Sequence, residues 1–330
     1  MTQLKTHILF GTQRYGTFGG ALPDNNRGSV VAKIIGNNVM HFKEFNPQVK
    51  MWVFEETVNG RPLTELINTQ HENVKYLPGI KLPRNVIAEP NLAKAAQDAT
   101  ILIFVLPHQF VRGACKQLKG HIMPGCKAIS LIKGLDTDTA GLNLLSNVIS
   151  NSLDIDVSVL SGANIANEVA QEKFCETTIG YRNRHNGQLF YELFNTPYFR
   201  VSIVNDPNGV EMCGALKNVV AVGAGIVDGL GLGDNTKAAI IRIGLMEMIK
   251  FAKLLDPSVK DSTFYESCGV ADVITSCAGG RNRRVAKAFA ETGKPLDKLE
   301  KEMLHGQKLQ GTSTCKELIA YLRDRRIEDE

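Results

Sequence analysis

Residues 99–106, ATILIFVL, are apolar throughout apart from Thr100. A run of that length, rich in β-branched side chains, suits a strand covered on both faces, and such strands belong to parallel sheets with helices on either side. The neighbouring chain keeps the same rhythm. Strands are expected at 6–10, 49–54, 85–88, 127–132 and 157–160, and helical stretches at 30–35, 64–68, 92–97 and 143–150, with another starting at 107–110. This alternation predicts an α/β fold built on a doubly wound parallel sheet. Ligands collect at the carboxyl ends of such strands, so Phe54 and Glu55, residues 107–110, Lys133 and residues 162–166 are expected along one rim.

After about residue 205 the text becomes helical, with segments at 211–224, 236–255, 270–276, 283–292, 297–304 and 314–323. The second of these is apolar nearly all round, is broken mainly by Lys237, Arg242, Glu247 and Lys250, and takes Asp234 or Asn235 as its N-cap. It is expected to be the buried axis of an all-helical domain. A chain of 330 residues with 43% hydrophobic content exceeds the ~250–300 residues at which single cores stop growing. The expected division is a sheet domain over 1–204 and a helical domain over 205–330, with a cleft between them.

Composition excludes several classes. A formal charge of +4 is too mild for a nucleic-acid footprint, despite the local clusters RNRR at 281–284 and RDRR at 323–326. Seven cysteines without C-x-x-C spacing and seven dispersed histidines give neither a disulfide frame nor a metal site. The longest apolar runs, such as 219–227, fall short of the ~18–20 residues that span a bilayer, and no signal-like run opens the chain. A soluble, cytoplasmic protein is expected.

Within residues 213–239, CGALKNVVAVGAGIVDGLGLGDNTKAA, Lys217 stands out. It follows Cys213 by four and precedes Val220 by three, so on a helix it shares a face with residues that should be buried. Such a lysine snorkels, pairs or works, and burial lowers a lysine pKa toward the range where proton transfer at neutral pH is efficient. Gly279, Gly280, Arg281 and Asn282 precede a helix expected from Arg283. Free amides, a helix N-terminus and a guanidinium together suit a phosphate ester, the bland alternative being a basic surface turn. Asp272 and Ser276 lie four apart on one helix face. There a carboxylate could hold an ammonium such as Lys217, or the face could simply be solvated. Residues 234–236 read as a cap and His108 as a turn residue rather than a base.

Those stretches, with NTQHENVKYLPG (68–79), VLPHQF (105–110), LIKG (131–134), GANIANEVA (162–170), ESCGVADVIT (266–275) and GGRNRRVA (279–286), resemble the soluble NAD-dependent glycerol-3-phosphate dehydrogenases from about residue 28 to 311. The resemblance implies a Rossmann domain, a helical substrate domain, NAD as cofactor, and reversible hydride transfer between NADH and dihydroxyacetone phosphate. It further implies Lys217 as proton donor and acceptor, Lys133 as second substrate-facing lysine, and Asp272 as the carboxylate supporting the lysine. Asn218, Ser276, Arg281 and Asn282 would contact substrate, Ser276 standing where the family has threonine. Gly28, Phe54, Phe110, Ala166, Arg281 and Gln310 would contact cofactor, and a homodimer is the expected assembly. Glu55 and Glu56 after the second strand are expected to repel a ribose 2′-phosphate, favouring NAD over NADP.

The chain departs from that family in two places. Where G-x-G-x-x-G is expected, residues 23–28 read PDNNRG, so only Gly28 survives, and residues 1–27 look like a substituted segment. At the other end the chain stops at Glu330 where the family continues, with loss of some helical packing expected. The alternative reading is therefore a homologue impaired in cofactor binding that acts without catalysis, through protein interaction.

Overall fold

The computed structural model describes residues 3–10, 26–138, 141–304 and 308–327. In chain order its elements are β1 (Thr6–Phe10), α1 (Arg27–Asn38), β2 (Val49–Val53), the small hairpin β3 (Thr57–Val58) and β4 (Arg61–Pro62), α2 (Leu63–Gln70), β5 (Val86–Glu89), α3 (Leu92–Ala96), β6 (Ile101–Phe104), α4 (Val111–Leu118) and β7 (Lys127–Ser130). A hairpin, β8 (Leu135–Asp138) and β9 (Gly141–Leu144), leads to α5 (Leu145–Leu153), β10 (Asp156–Ser161), α6 (Ala166–Ala170), β11 (Cys175–Gly180), α7 (Arg184–Phe194) and β12 (Phe199–Val204). Helices follow: α8 (Pro207–Gly229), α9 (Asp234–Leu255), α10 (Asp272–Gly279), α11 (Arg281–Thr292), α12 (Leu296–Leu304) and α13 (Gln310–Arg325).

Among the described residues eight strands form one sheet in the order β12-β11-β10-β7-β6-β1-β2-β5. From β5 to β10 all neighbours are parallel. The unbroken apolar run is explained by what lies on each side. Ile101 and Ile103 join Ile8, Met51 and the α1 residues Val30, Val31 and Ile34, whereas Leu102 and Phe104 join Leu9, Val111 of α4 and Ile149 of α5. Successive side chains alternate between the two layers, so neither face tolerates a polar residue.

The sheet differs from the purely parallel expectation in being mixed, because β11 pairs antiparallel with β10. The link between them contains only the five-residue α6, about 7–8 Å of helix, too short to return the chain to the start of β10, so β11 runs back beside it. The segment from β11 to β12 and the hairpin of β8 and β9 were not foreseen. The helix expected from 143 starts at Leu145, since Asn143 and Leu144 close the hairpin.

Among the helices the axis is α8, not α9. Residues around the whole circumference of α8 are buried, including Val210, Met212, Leu216, Val220, Ala224 and Val227, while α9 buries only Met248 and Ala252 and leaves Ile243 and Met246 exposed. Small residues decide this: a Cβ at Gly225 would lie 2.3 Å from the Arg283 carbonyl oxygen and one at Gly229 would lie 2.5 Å from that of Lys287. Only glycine lets α11 approach so closely. With a mean hydropathy of 1.5 over its most apolar 18 residues, α8 is long and apolar enough to cross a membrane, but 72% of that window is buried among the other elements. The cap of α9 is Gly233, at φ 86°, one residue before the expected pair.

Candidate functional site

Asp272 opens α10, directly after a π-turn at Ser267–Ala271, and is 3% exposed. Its carboxylate receives two ammonium groups. Lys133, from the end of β7, donates to Oδ2 at 2.9 Å, and Lys217, from the middle of α8, donates to Oδ1. Lys217 thus neither snorkels nor lies free; it is buried and paired. Gly214, one turn earlier on α8, lets the helix lie close to the end of β10, since a Cβ there would lie 2.8 Å from Ser161 Oγ. The face carrying Asp272 and Ser276 is buried, not solvated.

The electrostatics follow from two cations sharing one anion. Burial alone would raise the Asp272 carboxyl, but Lys133 and Lys217 prevail and hold it below the ordinary carboxylate value. Burial lowers Lys133 to about 7 against the pull of Asp272, with Lys217 and Arg27 pushing the same way. Lys133 is therefore placed to exchange a proton near neutral pH.

A second group adjoins this one. Asn282 donates through Nδ2 to Asn218 Oδ1 at 3.0 Å and accepts from the Gly311 backbone N–H at 2.8 Å. Helix α11 begins at Arg281 with Gly280 as N-cap, so Arg281 and Asn282 lie in its first turn and not, as expected, before it. Gln310 opens α13 and lies beside Gly134, where a Cβ would be 3.6 Å from Gln310 Nε2 and from the His108 ring.

The strand ends bring the remaining residues to one rim. Phe54 follows β2 and is 37% exposed, Phe110 is half-buried just before α4, Ala166 opens α6, and Gly28 is buried in the first turn of α1. A cleft between α1 and the ends of β7 and β10 is lined by Arg27, Lys133, Asn164 and Ala166, among others. Arg27 and Asn164 carried no individual signal in the sequence; only the crossing of α1 over the β7 end reveals them. Glu56 does not face this rim. It is buried, bonded to Lys75 and to the Tyr76 hydroxyl, while Glu55 accepts from the backbone N–H and, at 2.5 Å, the hydroxyl of Thr64. Glu56 therefore cannot repel a 2′-phosphate, contrary to the expectation from its position.

The donor set fits a dinucleotide: accessible aromatic faces at Phe54 and Phe110, the positive end of α1 with Arg27, and the buried Asn26 Oδ1, which lacks a partner among the described residues. The altered glycine segment, residues 11–25, lies outside the described residues.

A family model described as the N-terminus of NAD-dependent glycerol-3-phosphate dehydrogenase matches residues 26–187, and one described as its C-terminus matches 206–329. The cytoplasmic NAD(+) glycerol-3-phosphate dehydrogenase of Bos taurus is 62% identical over 305 residues, covering 92% of this chain and 87% of the relative. That of Homo sapiens is 61% identical with the same coverage. A solved glycerol-3-phosphate dehydrogenase from Saccharomyces cerevisiae superposes with a TM-score of 0.90 at 45% identity, covering 99% of this chain and 92% of that one. The Plasmodium falciparum enzyme gives 0.90 at 39%, with coverage of 98% and 87%.

Proposed function

Because the chain belongs to the NAD-dependent glycerol-3-phosphate dehydrogenases, we propose that its two-lysine, one-carboxylate cluster performs proton transfer in that reaction. The activity is reversible hydride transfer between NADH and dihydroxyacetone phosphate, giving sn-glycerol 3-phosphate. NADH, when bound, supplies the hydride. The residues of this chain bind, orient and move the proton.

Reduction puts negative charge on the C2 oxygen of the substrate. Lys217 donates the proton that quenches it and takes the proton back in the reverse direction. Lys133 stabilises the developing charge, and Asp272 keeps both ammonium groups in place. Arg281 forks two phosphate oxygens, with Asn282 and the α11 N-terminus taking others. Asn218 and Ser276 serve the hydroxyl end. Phosphate binding supplies remote energy for orienting the carbonyl. Gly28, Phe54, Phe110, Ala166, Arg281 and Gln310 contact the cofactor. Residues 1–204 form the cofactor part and 205–330 the substrate part.

The observation that carries this reading is the convergence of Lys133 and Lys217 on buried Asp272. Lys217→Ala is expected to lower dihydroxyacetone phosphate reduction by ~10²–10⁴-fold with NADH affinity unchanged in titration. Wild-type turnover in that variant would remove Lys217 from its role. The proposed location is the cytoplasm, supported by the names of the bovine and human relatives. The proposed assembly is a homodimer, supported by the family resemblance. Sedimentation should give twice the 36.2 kDa chain mass, and a species at the chain mass would reject it.

A further inference from the structure

Among the described residues of the cleft positive charge outnumbers negative charge, and the excess suits an anion. Lys133 and Lys217 share the single carboxylate of Asp272, and Arg27 adds a third cation from the facing helix. Arg27 is the first residue of α1; its Nη1 donates to the Leu131 carbonyl at 3.5 Å, a long bond, two residues before Lys133. Arg27 and Lys133 line the same cleft, and the guanidinium is close enough to lower the proton affinity of Lys133. Among the described residues this one weak bond leaves most of the five N–H donors of the guanidinium available for a planar anion.

The helix beneath adds to this. With 12 residues, α1 is long enough for its N-terminus to favour negative charge, and Asn26 at its N-cap makes no side-chain capping bond. Asn26 is 3% exposed, and its Oδ1 is without a partner among the described residues. A buried acceptor left in that state suits a hydroxyl, as a ribose would present beside a diphosphate. In the sequence, the positions before this helix read PDN at 23–25, where a glycine turn would offer backbone amides.

We propose that Arg27 binds the diphosphate of the nicotinamide cofactor at the N-terminus of α1, supplying through side-chain charge the anchorage that a glycine turn supplies through the backbone. The inference rests on NAD being the cofactor. Calorimetric titration with NADH tests it on wild type, Arg27→Gln and Arg27→Met, with melting of the unliganded proteins recorded alongside. Both variants should melt with wild type and bind NADH at least about tenfold more weakly, and the loss of affinity on adding salt should flatten, since one exposed charge pair is gone. Equal affinity and equal salt dependence in either folded variant would overturn the role of Arg27. Absence of NADH binding by wild type would instead overturn the cofactor reading beneath it, so the two failures are distinguishable.

Discussion

Lys133 is the residue whose charge is negotiable. Buried beside Asp272 yet flanked by Lys217 and Arg27, it is held at about 7, so it is charged below that pH and loses its proton as pH rises through it. If its charge stabilises the substrate oxygen, kcat/KM for dihydroxyacetone phosphate reduction should fall above about pH 7. Lys133→Arg, which does not deprotonate, should be slower but should lack that descending limb. An unchanged limb would assign the titration to another group. At this scale the sequence was informative where periodicity alone sets a neighbourhood. Helical spacing put Lys217 on a buried face, and strand-end logic put Lys133 on the rim. It misled at Glu56, because whether a side chain after a strand faces ligand or interior depends on partners, here Lys75 and Tyr76, that lie elsewhere in the chain.

Among the elements, α8 does two jobs that usually fall to different helices, forming the apolar axis and carrying the ionic site. By composition both α8 and α9 are apolar enough to be buried. What separated them was the glycines of α8 facing α11, a tertiary fact invisible in hydropathy. A cost of that central position appears at Glu211, whose buried carboxylate accepts from the Ser146 N–H at 3.1 Å on α5 and is raised from 4.5 to about 7 by burial. Below 4.5 both folded and unfolded chains hold this proton. Between 4.5 and 7 the unfolded chain ionises first, so folding loses stability as pH rises. Glu211→Gln, which cannot ionise, should gain on wild type across that window by an amount of order 3 kcal/mol, read from denaturant unfolding at a series of pH values. Parallel stability profiles would refute it.

For the whole molecule, the site exists only by assembly: Lys133 comes from the segment just past β7, Lys217, Asp272 and Asn282 from three helices, and Gln310 from a fourth. The doubly wound plan was legible from the strand-helix rhythm, and the reversal at β11 was not, because it turns on the length of one connecting helix. Lys217 sits on a long and largely buried helix, which has a kinetic meaning. Backbone amides around residues 213–221 should exchange with deuterium only through global unfolding, whereas those of 108–110, in the half-buried turn after β6, should exchange through smaller local openings and slow when cofactor is present. Denaturant-dependent exchange resolves the two classes, and equal opening energies would contradict the distinction. Lys217, the proposed proton carrier, is thus anchored to a helix expected to exchange slowly, so substrate entry has to be accommodated by the opposite wall of the cleft.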